Sequence, residues 1–103
     1  MLLIREVMNC KPGKVRPLVE KFKSMAAISE KSGMQKMRIL TDFSGAPYWT
    51  LVAEFEVENM QVLEDMFAGK GMNEADMKKM DEIMKAYQDL VDKGRREIYK
   101  VES

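Results

Sequence analysis

The sequence contains no histidine. That removes imidazole general bases, Ser-His-Asp and Cys-His nucleophile pairs, and every histidine-bearing metal site. A single cysteine leaves no internal disulfide, no Cys-rich zinc site and no cysteine-ligated iron–sulfur cluster within one chain. Neither charge sign is in excess: Lys+Arg and Asp+Glu both count 17. Binders of nucleic acid or anionic membranes carry a basic surplus, so neither is expected as a partner. No apolar run approaches the ~18 residues of a membrane span. MLLIREV breaks at Arg5, too early for a signal peptide, and no Asn-x-Ser/Thr sequon occurs. With a lone thiol, these absences point to the cytoplasm. At 103 residues the chain is read as one domain, 1–103, which excludes a cleft between two domains.

What is present is a clear alternation of periods. Residues 2–10, LLIREVMNC, read as a strand ended by Lys11-Pro12-Gly13. Val15, Leu18, Val19, Phe22, Met25, Ala26 and Ser29 then fall at steps of three and four, an amphipathic helix over 14–32. Pro17 fits its first turn and Gly33 stops it. Residues 35–42 and 48–57 alternate as strands around a Ser-Gly-Ala-Pro loop, a hairpin. Pairing Leu40 with Thr50 sets Ile39 against Leu51 and Lys36 against Glu54. Residues 59–68 read as a helix capped by Asn59. A second piece is capped by Asn73, with an apolar stripe from Met77 to Val91, Lys93 in its last turn and Gly94 as its stop. Residues 95–102 close the chain as a strand.

This order is βαββαβ. It predicts an α+β, ferredoxin-like fold: a four-stranded antiparallel sheet with the helices on one face. Trp49, Leu51, Ala53, Phe55 and Val57 form the helix-facing side of the third strand. Tyr48, Thr50, Val52, Glu54 and Glu56 form the other, which is neither a clean core nor a clean solvent face. The first strand is apolar on both faces. Both features predict a homodimer with the sheets face to face. Pro12-Gly13-Lys14, RILTDFSG (38–45), VAEFEVEN (52–59) and GRREIYKV (94–101) together resemble the dimeric α+β barrel superfamily, most of all its NIPSNAP-like and antibiotic-biosynthesis-monooxygenase-like small proteins. The resemblance implies a homodimer with a pocket between sheet and helices. It does not select a chemistry, because one fold hosts many. Haem-using relatives rely on a histidine that this chain lacks, which argues against haem peroxidase or chlorite dismutase activity.

The candidate pocket residues are Arg38, Thr50, Val52, Glu54 and Tyr99; the facing of Tyr99 is not fixed by the sequence. Arg38 and Glu54 read as an ion pair, or as an anion or carbonyl anchor beside a candidate base. Trp49 and the helix-spaced methionines read as core, and Cys10 as an inert thiol beside Lys11. An RNA-recognition module is rejected because the first strand has no aromatic and Glu54 and Glu56 repel phosphate. No cofactor and no stoichiometric metal are expected. Two functions stay open. One is binding of a small, largely apolar molecule. The alternative is a cofactor-independent monooxygenase or isomerase acting on a small oxygen-bearing aromatic or quinol-like substrate.

Overall fold

The computed structural model describes residues 1–31, 33 and 36–103. Its order is β1 (Leu2–Cys10), α1 (Val15–Lys31), β2 (Arg38–Thr41), β3 (Thr50–Val57), α2 (Met60–Phe67), α3 (Glu74–Met84), a 3-10 turn (Tyr87–Asp89) and β4 (Val91–Lys100). The strands lie in the order β2-β3-β1-β4, and every neighbouring pair is antiparallel. This is the expected ferredoxin-like α+β fold. The predicted helix end at Ser32 and strand start at Gln35 lie outside the described residues.

Period decides what packs where. On α1, Leu18, Val19 and Phe22 share one stripe and meet Leu51, Ala53 and Cys10 of the sheet. On α2, Leu63 meets Ile4, Phe55 and Val57. All helical contacts of this core fall on one side of the sheet. The molecule is therefore a slab of 37 × 35 × 18 Å: one sheet, one helical layer, and a second sheet face left open. The predicted caps form. Asn59 accepts from the Val62 N–H at 3.0 Å, and Asn73 from the Asp76 N–H at 2.7 Å. Gly33 takes φ +83 after α1, a conformation open to glycine at no steric cost.

Three sequence expectations are corrected. The hairpin register is shifted by two residues: Arg38 lies opposite Glu54, Ile39 opposite Ala53 and Leu40 opposite Val52. Asp42 explains the shift. Its N–H donates to the Thr50 carbonyl at 3.1 Å, and its carboxylate accepts from the Thr50 N–H at 2.9 Å. That pair closes the ladder and leaves 43–49 as the loop. An even shift keeps every side chain on its predicted face. Trp49 consequently leaves the strand. It sits in the loop at φ +64 and is 43% exposed, so it is not a core residue.

The third correction concerns the last helix. It ends at Met84, not near Gly94. Lys85 is extended and Ala86 takes φ +62, which turns the chain back toward the sheet. Val91 then pairs with Cys10, with a bulge beside Asn9, and Lys93 and Gly94 are strand residues. The open carbonyls at the end of α3 are met from α1: Lys21 Nζ donates to the Ile83 carbonyl at 2.8 Å and to that of Lys85 at 3.1 Å. A cation on the negative end of a helix is favourable twice over, as donor and as charge.

Lys21→Met removes that clamp while keeping the alkyl stem. Urea unfolding should register a loss of about 1.5–3 kcal/mol, the range for hydrogen bonds to a charged group. Amide exchange should rise first in the last turn of α3. Unchanged stability and unchanged exchange there would show that water satisfies these carbonyls equally well.

Candidate functional site

The sheet separates two chemistries by alternation. Even-numbered residues of β1 share a face with Leu51, Ala53, Phe55 and Val57, and look toward the helices. Odd-numbered residues of β1 share the open face with Thr50, Val52, Glu54 and Glu56. On β4, Arg96 and Ile98 pair with even-numbered partners, while Arg95, Glu97 and Tyr99 pair with odd-numbered ones.

All five candidate residues from the sequence lie on the open face, but the structure joins only some of them. Arg38 donates to the Glu54 carboxylate, and Arg5 Nε lies 3.4 Å from its other oxygen. Arg5 also donates to Glu97 at 3.0 Å. Four residues on four strands thus form one row, Arg38–Glu54–Arg5–Glu97, each opposite the next. Glu54 is the most enclosed member, with its side chain 9% exposed against 73% for Arg38. Its charge is compensated from both sides, as a buried carboxylate requires. Tyr99 joins the row's end by donating to Glu97 at 3.2 Å. Val52 sits one row away, opposite Leu40 and Val7. Thr50 is a turn residue: its hydroxyl donates to the Pro47 carbonyl at 2.7 Å and accepts from Asn9 at 3.2 Å. Arg38 and Glu54 border a smaller groove of about 190 Å³.

The larger candidate site is on the other side. Between sheet and helices lies a cavity of about 410 Å³. Among the described residues, Met8, Met25, Met37, Met66, Met72, Met80 and Met84 line it, with Phe22, Phe55 and Phe67. Its polar groups are few: Ser29, Tyr87 and the pair Glu6–Arg96. Glu6 and Arg96 are cross-strand partners, and Arg96 Nε donates to the Glu6 carboxylate. The Arg96 guanidinium also stacks over Phe67, 4.3 Å from the ring centroid. An apolar chamber with one charged pair and two hydroxyls is the usual composition of a small-molecule site.

Sequence reasoning passed over Glu6, and it left open the facing of the last strand, whose Arg96 could contribute to a site; the pairing with Glu6 puts Arg96 on the helical face. The signal was present: Glu6 shares its face with Ile4 and Met8, so it is a carboxylate on an apolar stripe. The helix-spaced methionines divide. Met84 packs on the core and, with Met80, lines the cavity, whereas Met77 is exposed. Cys10 is buried, and burial, with Asp42 and Asp92 nearby, pushes its thiol up from the usual range. Lys11 does not activate it. Among the described residues no helix is long and apolar enough to cross a membrane, and no cluster of three Asp, Glu, Cys or His side chains could hold a metal ion.

No protein-family model and no curated protein matches the chain. Solved structures do. An uncharacterized NIPSNAP-like domain protein from Burkholderia xenovorans superposes with a TM-score of 0.77 at 13% identity, over 99% of this chain and 85% of that one. The protein Atu4242 from Agrobacterium tumefaciens gives 0.73 at 14% identity, over 97% and 92%. A proposed antibiotic biosynthesis monooxygenase from Deinococcus radiodurans gives 0.69 at 11% identity, over 100% and 94%. At these identities the likeness is one of fold.

The charge row makes a pH prediction. The Arg95 hydrogen bond holds the Glu97 carboxyl below the ordinary glutamate range, aided by Tyr99 and by the charges of Arg95 and Arg5. A depressed carboxylate stabilises the fold above its ordinary pKa, and that contribution fades as pH falls through the folded value. Carbon-13 NMR of the side chain should place the Glu97 midpoint below that of a model glutamate. Arg95→Gln should move it upward. A midpoint insensitive to Arg95→Gln would show that this hydrogen bond does not form in solution.

Proposed function

We propose that the protein is a homodimer that binds a small, largely apolar molecule in the methionine-lined cavity between sheet and helices. The observation that carries this reading is the cavity itself, about 410 Å³ walled by thioethers and aromatic rings. Methionine is unbranched and polarizable, so such a wall adapts to ligands of differing outline and favours aromatic faces. The Glu6–Arg96 pair gives the ligand a polar end to meet. Arg96 can donate to a carbonyl, and Glu6 can accept from a hydroxyl. A free carboxylate ligand would instead compete with Glu6 for the same guanidinium.

The dimer is supported by the open sheet face, where Leu40 and Tyr99 are exposed and Val52 is half-buried beside charges that already compensate one another. Face-to-face sheets would bury more than about 1,200 Å² in total.

A second reading makes the same chamber catalytic, without a cofactor. Glu6 would take the proton of a phenol- or quinol-like substrate, and Arg96 would hold the resulting oxyanion. As an isomerase the chain would return that proton to another atom. As a monooxygenase it would use dioxygen as the oxidant: one oxygen atom enters the quinol, which is oxidised to a hydroxyquinone, and the other leaves as water with two electrons and two protons from the substrate. The juxtaposition of carboxylate, guanidinium and the Tyr87 hydroxyl in one chamber supports this reading, as do the named activities of the structural neighbours.

Calorimetry with 2-naphthol, naphthalene and 2-naphthoate tests the binding. The neutral hydroxyarene should bind best and the carboxylate worst. Methyl-labelled methionine spectra should show Met66, Met80 and Met84 responding. Met80→Trp should fill the chamber and abolish the heat. Absence of binding by all three, in a protein that light scattering shows to be dimeric at micromolar concentration, would overturn the ligand reading. A monomer at that concentration would overturn the dimer. Oxygen consumption with a naphthoquinol in the presence of chelator, lost in Glu6→Gln, would select the enzyme.

A further inference from the structure

The helical layer stops short of β4, whose main neighbour on the helical side is the 3-10 turn Tyr87–Asp89. Beside that strand and turn lies a second cavity, of about 350 Å³. Val91 and Gly94 line it, and Glu6, Met8, Tyr87 and Arg96 line both it and the methionine chamber. The two spaces therefore meet at a waist formed by the Glu6–Arg96 pair. Arg96 is exposed there and Glu6 half-buried.

Gly94 keeps the outer space open. It pairs with Met8 in mid-strand, where a glycine weakens the strand. The other five glycines take positive φ, and Gly94 does not. A Cβ at this position would lie 3.4 Å from the Val7 carbonyl oxygen and 3.7 Å from Met8 Cγ, which is ordinary contact. Neither the backbone angle nor a close approach therefore requires glycine. What the missing side chain supplies is room on the helix-facing side of β4.

The vestibule also differs from the chamber in charge. Arg95 lines it too, so its charged side chains are two cations and one anion, against one of each in the chamber. Arg96 gives Nε to Glu6, and its Nη donors have no partner among the described residues. A guanidinium carries five N–H donors in a planar fork suited to carboxylate. A carboxylate fixed directly to an apolar body would be held at the waist, against the Glu6 carboxylate. A carboxylate on a short arm passes Glu6 and reaches the free donors from the vestibule side.

We infer that the ligand is an aryl acid whose carboxylate stands on a short arm, with its rings in the methionine chamber, its arm through the Glu6–Arg96 waist and its carboxylate in the Gly94 vestibule against Arg96. The inference rests on the chamber reading above and adds the second half of the ligand.

Calorimetry on the wild type and Gly94→Leu carries the test, with 2-naphthol, 2-naphthoate and (2-naphthyloxy)acetate as probes. The two acids share their charge and their rings and differ by the –O–CH2– arm. In the wild type the armed acid should bind at least about tenfold more tightly than 2-naphthoate, the scale of one charge-assisted hydrogen bond. In Gly94→Leu its affinity relative to 2-naphthol should fall at least about tenfold, because the leucine occupies the vestibule. Equal affinity of the two acids, or a ratio unmoved by Gly94→Leu, would overturn the inference and leave the chamber reading standing where 2-naphthol binds. Failure of 2-naphthol to bind would overturn the chamber reading and this inference with it. Should Gly94→Leu not fold, nuclear Overhauser contacts in the wild type decide. The arm's methylene protons should lie near the Gly94 α protons, and contacts to Met80 alone would overturn the vestibule.

Discussion

Everything in this molecule hangs on the alternation of β1, an interior strand paired with β3 on one side and with β4 on the other. Its even positions, Leu2, Ile4, Glu6, Met8 and Cys10, supply the core and the cavity floor. Its odd positions, Leu3, Arg5, Val7 and Asn9, supply the centre of the open face. A slip of one residue against β3 would put Arg5 among the methionines and Ile4 into the charge row. Register is therefore specified at every position at once, and the Arg5–Glu54 and Glu6–Arg96 pairs enforce it from opposite faces.

Both faces solve the same electrostatic problem in different surroundings. On the open face, Glu54 is enclosed by its neighbours and shares two arginines. On the helical face, Glu6 has one arginine, which also stacks on Phe67. Compensation by a network resists the loss of any one member. Compensation by a single partner leaves donors and lone pairs available to a newcomer. That difference separates an interface-like arrangement from a site-like one, and it follows from which strands happen to flank each carboxylate.

Much of this was legible in the sequence. The stripe Val15–Leu18–Val19–Phe22 and the alternation of 50–57 gave helix and strand unambiguously, because each period has one structural solution. Asn59 and Asn73 announced their helices through cap chemistry that is local. What failed was long-range or conformational. The hairpin register depended on Asp42 bonding twice to Thr50, and both registers look equally good by residue type. Trp49 continued an apolar alternation, but its backbone had already turned to φ +64. The stripe through Leu90 and Val91 is apolar whether helical or not; it left the helix because Val91 is needed against Cys10. The cavity was the least legible feature, since methionines at helical spacing read the same whether they meet each other or surround a void.

The clamp of Lys21 on the end of α3 has a mechanical consequence. It makes α1 and α3 a single stiff plate, sutured at one corner by an ammonium group. The remaining wall, α2, joins that plate through Gly69-Lys70-Gly71, where both glycines adopt left-handed backbone angles. Compliance in the chamber is thus anisotropic. Dilation to admit a bulkier guest runs through the α2 leaf, which carries Met66 and Phe67, while the plate and the sheet hold their spacing. A guest would be gripped from the α2 side and merely rested against on the other two.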